Sequence, residues 1–197
     1  LVLEVAEKAV VEQPVQVLYV STGTSNGAVT SHPRLLVKLN PVSEIKLAAK
    51  FVGQGGGYFV NAVQDFIVLE GAGLTYWQVQ RDDSDAWHCS KTRVQLHRNS
   101  RFFCTNGSSG SRLARHHYEV HLKEEGAELG MNGVSVLKHQ EQAHNFVRIH
   151  HHAPHCTSHQ FFRNVVNDKG RSSFDGTVIV DKDAQQTHSD QLINNLM

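Results

Sequence analysis

The chain predicts an all-β fold on three observations. Apolar and polar residues alternate along most of its length, no window of a dozen residues carries apolar positions at the 3.6-residue period, and compact turn clusters, mostly containing glycine, separate the alternating stretches. Alternation at period two is what a half-buried strand needs, because successive side chains leave opposite faces. Without amphipathic helical windows there is no material for βαβ crossovers or for a helical bundle.

In chain order, Leu35, Val37 and Leu39 alternate with Arg34, Lys38 and Asn40, and Ile45, Leu47, Ala49 and Phe51 alternate with Glu44, Lys46 and Lys50. Farther along, Thr92, Val94 and Leu96 alternate with Arg93, Gln95 and His97, and Tyr118, Val120 and Leu122 with His117, Glu119 and His121. Turn clusters fall at 53–57, 70–73, 106–110, 124–127 and 168–170. Glu70-Gly71-Ala72-Gly73-Leu74 and Glu125-Gly126-Ala127-Glu128-Leu129 form a loose internal repeat. Two architectures suit this pattern: an antiparallel β-sandwich, or a parallel β-helix with coils of ~20 or more residues. The scarcity of two-residue hairpin signals favours the coil, while Asn26-Gly27 and Asn132-Gly133 keep hairpins open.

At 197 residues and 40% hydrophobic, the chain has the core of one domain, read as 1–197. Nineteen Lys and Arg balance 19 Asp and Glu, so no broad field exists to gather nucleic acid or anionic lipid, and partners are expected to be selected by shape. The clearest apolar runs, 17–20 and 66–69, are strand-sized, so no membrane span is expected. Cys89, Cys104 and Cys156 are odd in number and lack C-x-x-C spacing, which argues against a disulfide framework or a four-thiolate zinc site and suits a reducing compartment. Asn106-Gly107-Ser108 matches the glycosylation pattern, but nothing else looks secreted. The chain opens on strand-like sequence at Leu1 and stops at Met197, and reads as a core cut at both ends.

Several chemistries fail on spacing. There is no G-x-x-x-x-G-K-[ST] phosphate cradle, no G-x-S-x-G elbow, no H-E-x-x-H and no left-handed hexapeptide repeat, and residues 53–58 lack the last glycine of a dinucleotide fingerprint. Histidine stands out instead, with 14 residues concentrated between His116 and His159. Strand parity sorts them. His151 shares parity with Val147 and Ile149 and points inward, where a hydrogen-bonded core residue is the first reading. His150 and His152 share the other face, as do His117 and His121 with Glu119 between them. Such pairs offer neutral imidazole to Zn, Fe or Cu, but two imidazoles without a third ligand make a weak site, so a solvated face is the first reading. Cys156, near His151, His155 and His159, is a candidate thiolate for sulfur or iron, set against the blander role of buried filler. Cys89 and Cys104 read as structural, and Tyr76, Trp77, Phe102 and Phe103 as core or interface.

The order His151-x-x-Pro154-x-Cys156-x-Ser158, then Phe162-Arg163-Asn164-Val165-Val166-x-Asp168-Lys169-Gly170-Arg171-x-x-Phe174-x-Gly176, then Ala184-Gln185 and Thr187, resembles the core of the SufB/SufD family of iron-sulfur cluster assembly proteins, closest to its SufD branch. The resemblance is tight from His151 onward and looser but collinear upstream. It implies a right-handed parallel β-helix and a non-catalytic scaffold role: pairing with a SufB-like subunit through the β-helix, and with a SufC-like ATPase through helical C-terminal segments not contained here. The family's Cys-x-His segment with its interface histidine would also lie beyond Met197. Iron-sulfur cluster and reduced FAD are implied for the full complex, with no cofactor expected on this chain. A cytoplasmic location, or a plastid stroma, follows from the resemblance, and a homodimer through the same surface is a further expectation. Two rivals remain. A β-helical polysaccharide enzyme needs clustered Asp, Arg and Lys on one strand face, and none is legible in the sequence; a histidine-rich metal-binding module would rest on His150 and His152.

Overall fold

The structure, a computed structural model, describes residues 1–23 and 29–196. One sheet holds β1 (Val2–Val5), β3 (Val29–Ser31), β4 (Arg34–Leu39), β6 (Tyr58–Val68), β8 (Trp87–Leu96), β10 (Leu113–Leu122), β12 (Gln142–His151) and β14 (Arg171–Val180). The other holds β2 (Val10–Thr22), β5 (Glu44–Gln54), β7 (Gly73–Arg81), β9 (Arg101–Ser109), β11 (Glu128–Leu137), β13 (Thr157–Val166) and β15 (His188–Leu196). From β4 onward the chain visits the sheets alternately. Each strand pairs in parallel with the next strand of its own sheet, Glu44 with Gly73, Gly73 with Arg101, Arg101 with Glu128 and Glu128 with Thr157. The chain therefore winds as a coil of about 30 residues per turn, a β-solenoid of about six turns, as a right-handed parallel β-helix requires.

This overturns the sandwich, since every strand pairing among the described residues is parallel. Asn132-Gly133 is no hairpin: it lies inside β11, paired on both sides. Gly133 is there because a Cβ would collide with the Phe162 ring. The 106–110 cluster is likewise strand as far as Ser109, and only Gly110 turns. Asn26-Gly27 lies outside the described residues.

The loose repeat of the sequence is a stacked corner. At the turn from the first sheet to the second, Lys8, Val42, Gly71, Asn99, Gly126, His155 and Gln186 all take left-handed backbone, with φ between 52° and 73°. A small residue follows each one: Ala9, Ser43, Ala72, Ser100, Ala127, Cys156 and Thr187. The middle five are fully buried. Their carbonyls accept from the next coil, as Gly73 N donates to Ser43 O at 2.8 Å, Arg101 N to Ala72 O at 2.9 Å and His188 N to Cys156 O at 3.0 Å. Each corner thus satisfies the backbone groups of its neighbour, as buried amides must be satisfied.

The interior divides lengthwise. Beside this corner lie Leu39, Val68, Leu74, Leu96, Phe102, Leu122, Leu129 and Ile149, each stabilising by ~1.5–3 kcal/mol on burial. Toward the opposite corner polar side chains join the apolar ones inside: Gln64, Gln78, Gln80, His88, Ser90, Ser108, His116 and Asn145. These hydrogen-bond chiefly to one another, Tyr76 to Gln64, and Gln80 Nε2 to Ser111 Oγ at 2.8 Å.

Candidate functional site

Parallel in-register strands lie about 4.8 Å apart, so equivalent outward residues of successive coils form columns. One column runs Gln95, His121, His150, Ile179 along β8, β10, β12 and β14. At the next corner position His152 and Asp181 stack, the His152 amide bonding Leu122 O and the Asp181 amide bonding His151 O. The result is one cluster at the edge of the first sheet, in which one nitrogen of each of His121, His150 and His152 lies within 4.8 Å of one from each of the others. The His150 and His152 rings stack with centroids 3.7 Å apart.

Carboxylates surround the rings. His150 Nε2 donates to Asp181 Oδ1 at 2.6 Å, His152 Nδ1 donates to Asp181 Oδ2 at 2.9 Å, and His121 Nε2 faces Glu119 Oε1 at 3.4 Å. Hydrogen bonds from His150 and His152 hold Asp181 below the usual carboxylate range. Glu119 is lowered chiefly by its hydrogen bond with Lys91, whose ammonium sits 2.8 Å away. Partial burial lowers His152, against the pull of Asp181. The predicted pairs are thus redrawn: His121 joins His150 and His152, while His117 stands apart against Phe146.

The remaining predicted residues have structural positions. His151 is fully buried with Nε2 3.0 Å from Ser158 Oγ, which in turn bonds Ser189 Oγ at 2.9 Å. Burial lowers its pKa, and the charges of His150 and His152 add to this. Phe174 packs on Phe162 with ring centroids 4.7 Å apart, and a Cβ on Gly176 would collide with Gln191. Ala184 is buried in the last corner, where Gln185 Nε2 donates to Lys182 O at 2.7 Å and the Gln185 carbonyl accepts from the His155 amide at 3.1 Å. Thr187 and Cys156 occupy the small-residue column. Cys156 Sγ lies 3.3 Å from Glu124 O and 3.6 Å from Pro154 O, and burial pushes its thiol up. Burial thus favours the thiol form, in keeping with the filler reading set beside the candidate thiolate. Burial raises Cys89 as well, and drives Cys104 up to about 12.

Two groupings escaped the sequence. Inside the solenoid, Asp82 accepts from His88 Nδ1 at 2.9 Å, Gln80 Nε2 at 2.8 Å and Tyr58 OH at 2.8 Å. Burial raises the Asp82 pKa, but the hydrogen bond and charge of His88 outweigh it and leave the carboxyl below its ordinary value. Burial drives neighbouring His116 down to about 3. Gln78 Nε2 can only donate to His116 Nδ1, at 3.3 Å, so the ring is neutral with its proton on Nε2, facing Ser108 Oγ at 3.3 Å. The parity of Tyr118 and Val120 already marked His116 as inward. On the outer face, register assembles a charged column that the sequence did not show: Asp65, Arg93, Glu119 and Arg148. Arg93 grips Asp65 bidentately at 2.5 and 2.9 Å. This cluster corrects the expectation of none, and each carboxylate in it is paired with a cation, Asp65 with Arg93 and Glu119 with Lys91, as on a salt-bridged face.

A parallel solenoid of stacked, in-register coils defines the fold class, a parallel β-helix. The chain matches the family model for SUF system FeS cluster assembly, SufBD core domain, over residues 19–197, and belongs to that family. It is 29% identical, over all of its length and 43% of the relative, to protein ABCI7, chloroplastic, of Arabidopsis thaliana. It is 25% identical to an iron-sulfur cluster assembly SufBD family protein of Synechocystis sp., covering 94% of this chain and 43% of that protein. Against the iron-sulfur cluster assembly protein SufD of Escherichia coli the identity is 23%, covering 94% of the chain and 44% of the relative. The chain spans less than half the length of these relatives.

Proposed function

We propose that this chain is the β-helical core of a non-catalytic scaffold subunit in iron-sulfur cluster assembly, pairing with a SufB-like subunit. The observation that carries the reading is the family match laid over a rigid solenoid whose conspicuous sequence motif, from His151 to Thr187, builds corners and core rather than a reaction centre. A groove lined by Val11, Glu44, Leu74, Arg101 and Phe103 is open to solvent, a shape for contact rather than for enclosing a substrate.

The cluster is cargo in this reading. Cys89, Cys104 and Cys156 sit on different elements with thiols raised by burial, and in this reading the cluster is met at the junction with the partner. In this reading reduced FAD is met at the level of the complex, and a SufC-like ATPase through helical segments of a longer parent. No helix of the structure is long and apolar enough to cross a membrane. Cytoplasm or plastid stroma suits the three free thiols.

The test is co-purification of the full-length parent with SufB-like and SufC-like proteins. Recovery of the three together is expected, and a parent that elutes alone in their presence overturns the reading. In isolation the partner surface is proposed to pair two copies of this chain, and light scattering that shows a strict monomer at high concentration would remove that part.

A further inference from the structure

We propose that His121, His150 and His152 form a binding site for one divalent first-row transition metal ion, of the zinc or ferrous class, with Glu119 and Asp181 fixing the ring tautomers. The inference goes beyond the scaffold reading and does not rest on it.

The carrying observation is a pair of facing nitrogens. His121 Nδ1 and His152 Nε2 lie 2.9 Å apart. Asp181 takes the proton on His152 Nδ1, which leaves a lone pair on Nε2. With Glu119 Oε1 3.4 Å from His121 Nε2, the tautomer that carries its proton on Nε2 leaves a lone pair on Nδ1; in the other tautomer the two facing nitrogens share a hydrogen bond whose proton a metal ion displaces. In both, the two nitrogens converge on one point that a cation can occupy. With metal–nitrogen bonds of ~2.0–2.1 Å, ligand angles between ~90° and ~109° place two donor nitrogens ~2.9–3.4 Å apart. The observed separation is already at the lower edge of that range.

The third ring and the carboxylates complete the case. His150 brings a nitrogen within 4.8 Å of the other two, and its Nε2 proton is held by the same Asp181. A carboxylate on the far nitrogen of a ligating imidazole fixes ring orientation and raises basicity, an arrangement that recurs at metal sites. Here all three rings have one, with the hold on His121 looser because Glu119 also serves Lys91. A dication would face two carboxylates, Asp181 and Glu119, the latter shared with Lys91. Imidazole donors select Zn, Fe, Ni or Cu over Mg or Ca. Side-chain exposures of 29%, 23% and 30% leave the rings accessible, so the remaining coordination positions fall to water or to an exogenous donor, as at an open site. A second group, His159, His188 and Asp190, is exposed throughout, and its one carboxylate, Asp190, already bonds His159, which makes it a natural control.

The experiment uses untagged protein stripped with chelator, then titrated with Zn²⁺ and with Co²⁺. Expected are one tight equivalent per chain, visible d–d absorption from Co²⁺, and loss of both in the double variant His150→Ala, His152→Ala. Asp181→Asn should weaken binding by ~10–100-fold. His159→Ala with His188→Ala should retain it. Should the double variant fail to give a native circular dichroism spectrum, His121→Gln and the imidazole NMR signals of the wild type decide: Zn²⁺ must shift His121, His150 and His152 and spare His144. Weak, non-stoichiometric uptake, binding unchanged in the variants, or loss confined to the control variant each overturns the proposal.

Discussion

His116 and His150 stand on adjacent strands of one sheet, β10 and β12, and differ in strand parity. His116 points into the solenoid, is fully buried and is driven to a pKa of about 3. His150 points out, stacks on His152 and leans on Asp181. One residue type therefore serves two ends: inward it is a neutral hydrogen-bonding strut whose loss is felt by the fold, and outward it is the proposed ligand, whose loss the fold should scarcely register. The contrast predicts a graded series of effects.

The largest belongs to the buried pair. Asp82→Ala strands His88 without a partner in the interior and should lower stability by ~3–5 kcal/mol in urea denaturation. A loss under ~1 kcal/mol would show that the inward polar half tolerates water. Acid comes next. The folded pKa of His116 lies below that of an unfolded histidine, ~6.5, so the unfolded chain binds the extra proton, and stability that is complete above that value drains as pH falls toward about 3. Asp82, also depressed, adds a further loss at lower pH, below the ordinary carboxylate range. The midpoint of denaturation measured against pH should show this limb flattened in His116→Gln; an identical limb would assign it elsewhere.

His151→Ala removes an inward ring bonded to Ser158 and leaves a void, and about 2 kcal/mol is expected from denaturant midpoints. Smallest is the double variant His150→Ala, His152→Ala, which without added metal should stay within roughly 0.5 kcal/mol of wild type. A large destabilisation there would erase the difference between the two faces.

Strand parity was legible in the sequence, and with it the inward His151, the outward His150 and His152, and the core from Leu35 to Leu122. The corner repeat was legible too, through Glu70-Gly71-Ala72 and Glu125-Gly126-Ala127, but Val42-Ser43, Asn99-Ser100 and His155-Cys156 share its backbone without its glycine and so kept the repeat loose. The histidine cluster was half legible. Its third ring, His121, and its carboxylate, Asp181, each lie one coil from the pair they complete, and their meeting depends on register, which local patterning does not carry. The Asp65, Arg93, Glu119 and Arg148 column was invisible for the same reason. Asn132-Gly133 misled because a glycine that makes room for Phe162 looks, in sequence, like one that turns a hairpin.

In-register stacking also makes the outer surface a ruler, graduated at about 4.8 Å along the solenoid axis. Whatever occupies one graduation can be repeated at the next by a single substitution. Gln95 and Ile179 flank His121 and His150 in the same column. Gln95→His or Ile179→His would lengthen the row of imidazoles by one step in either direction, so the spacing of surface chemistry on this protein can be written residue by residue.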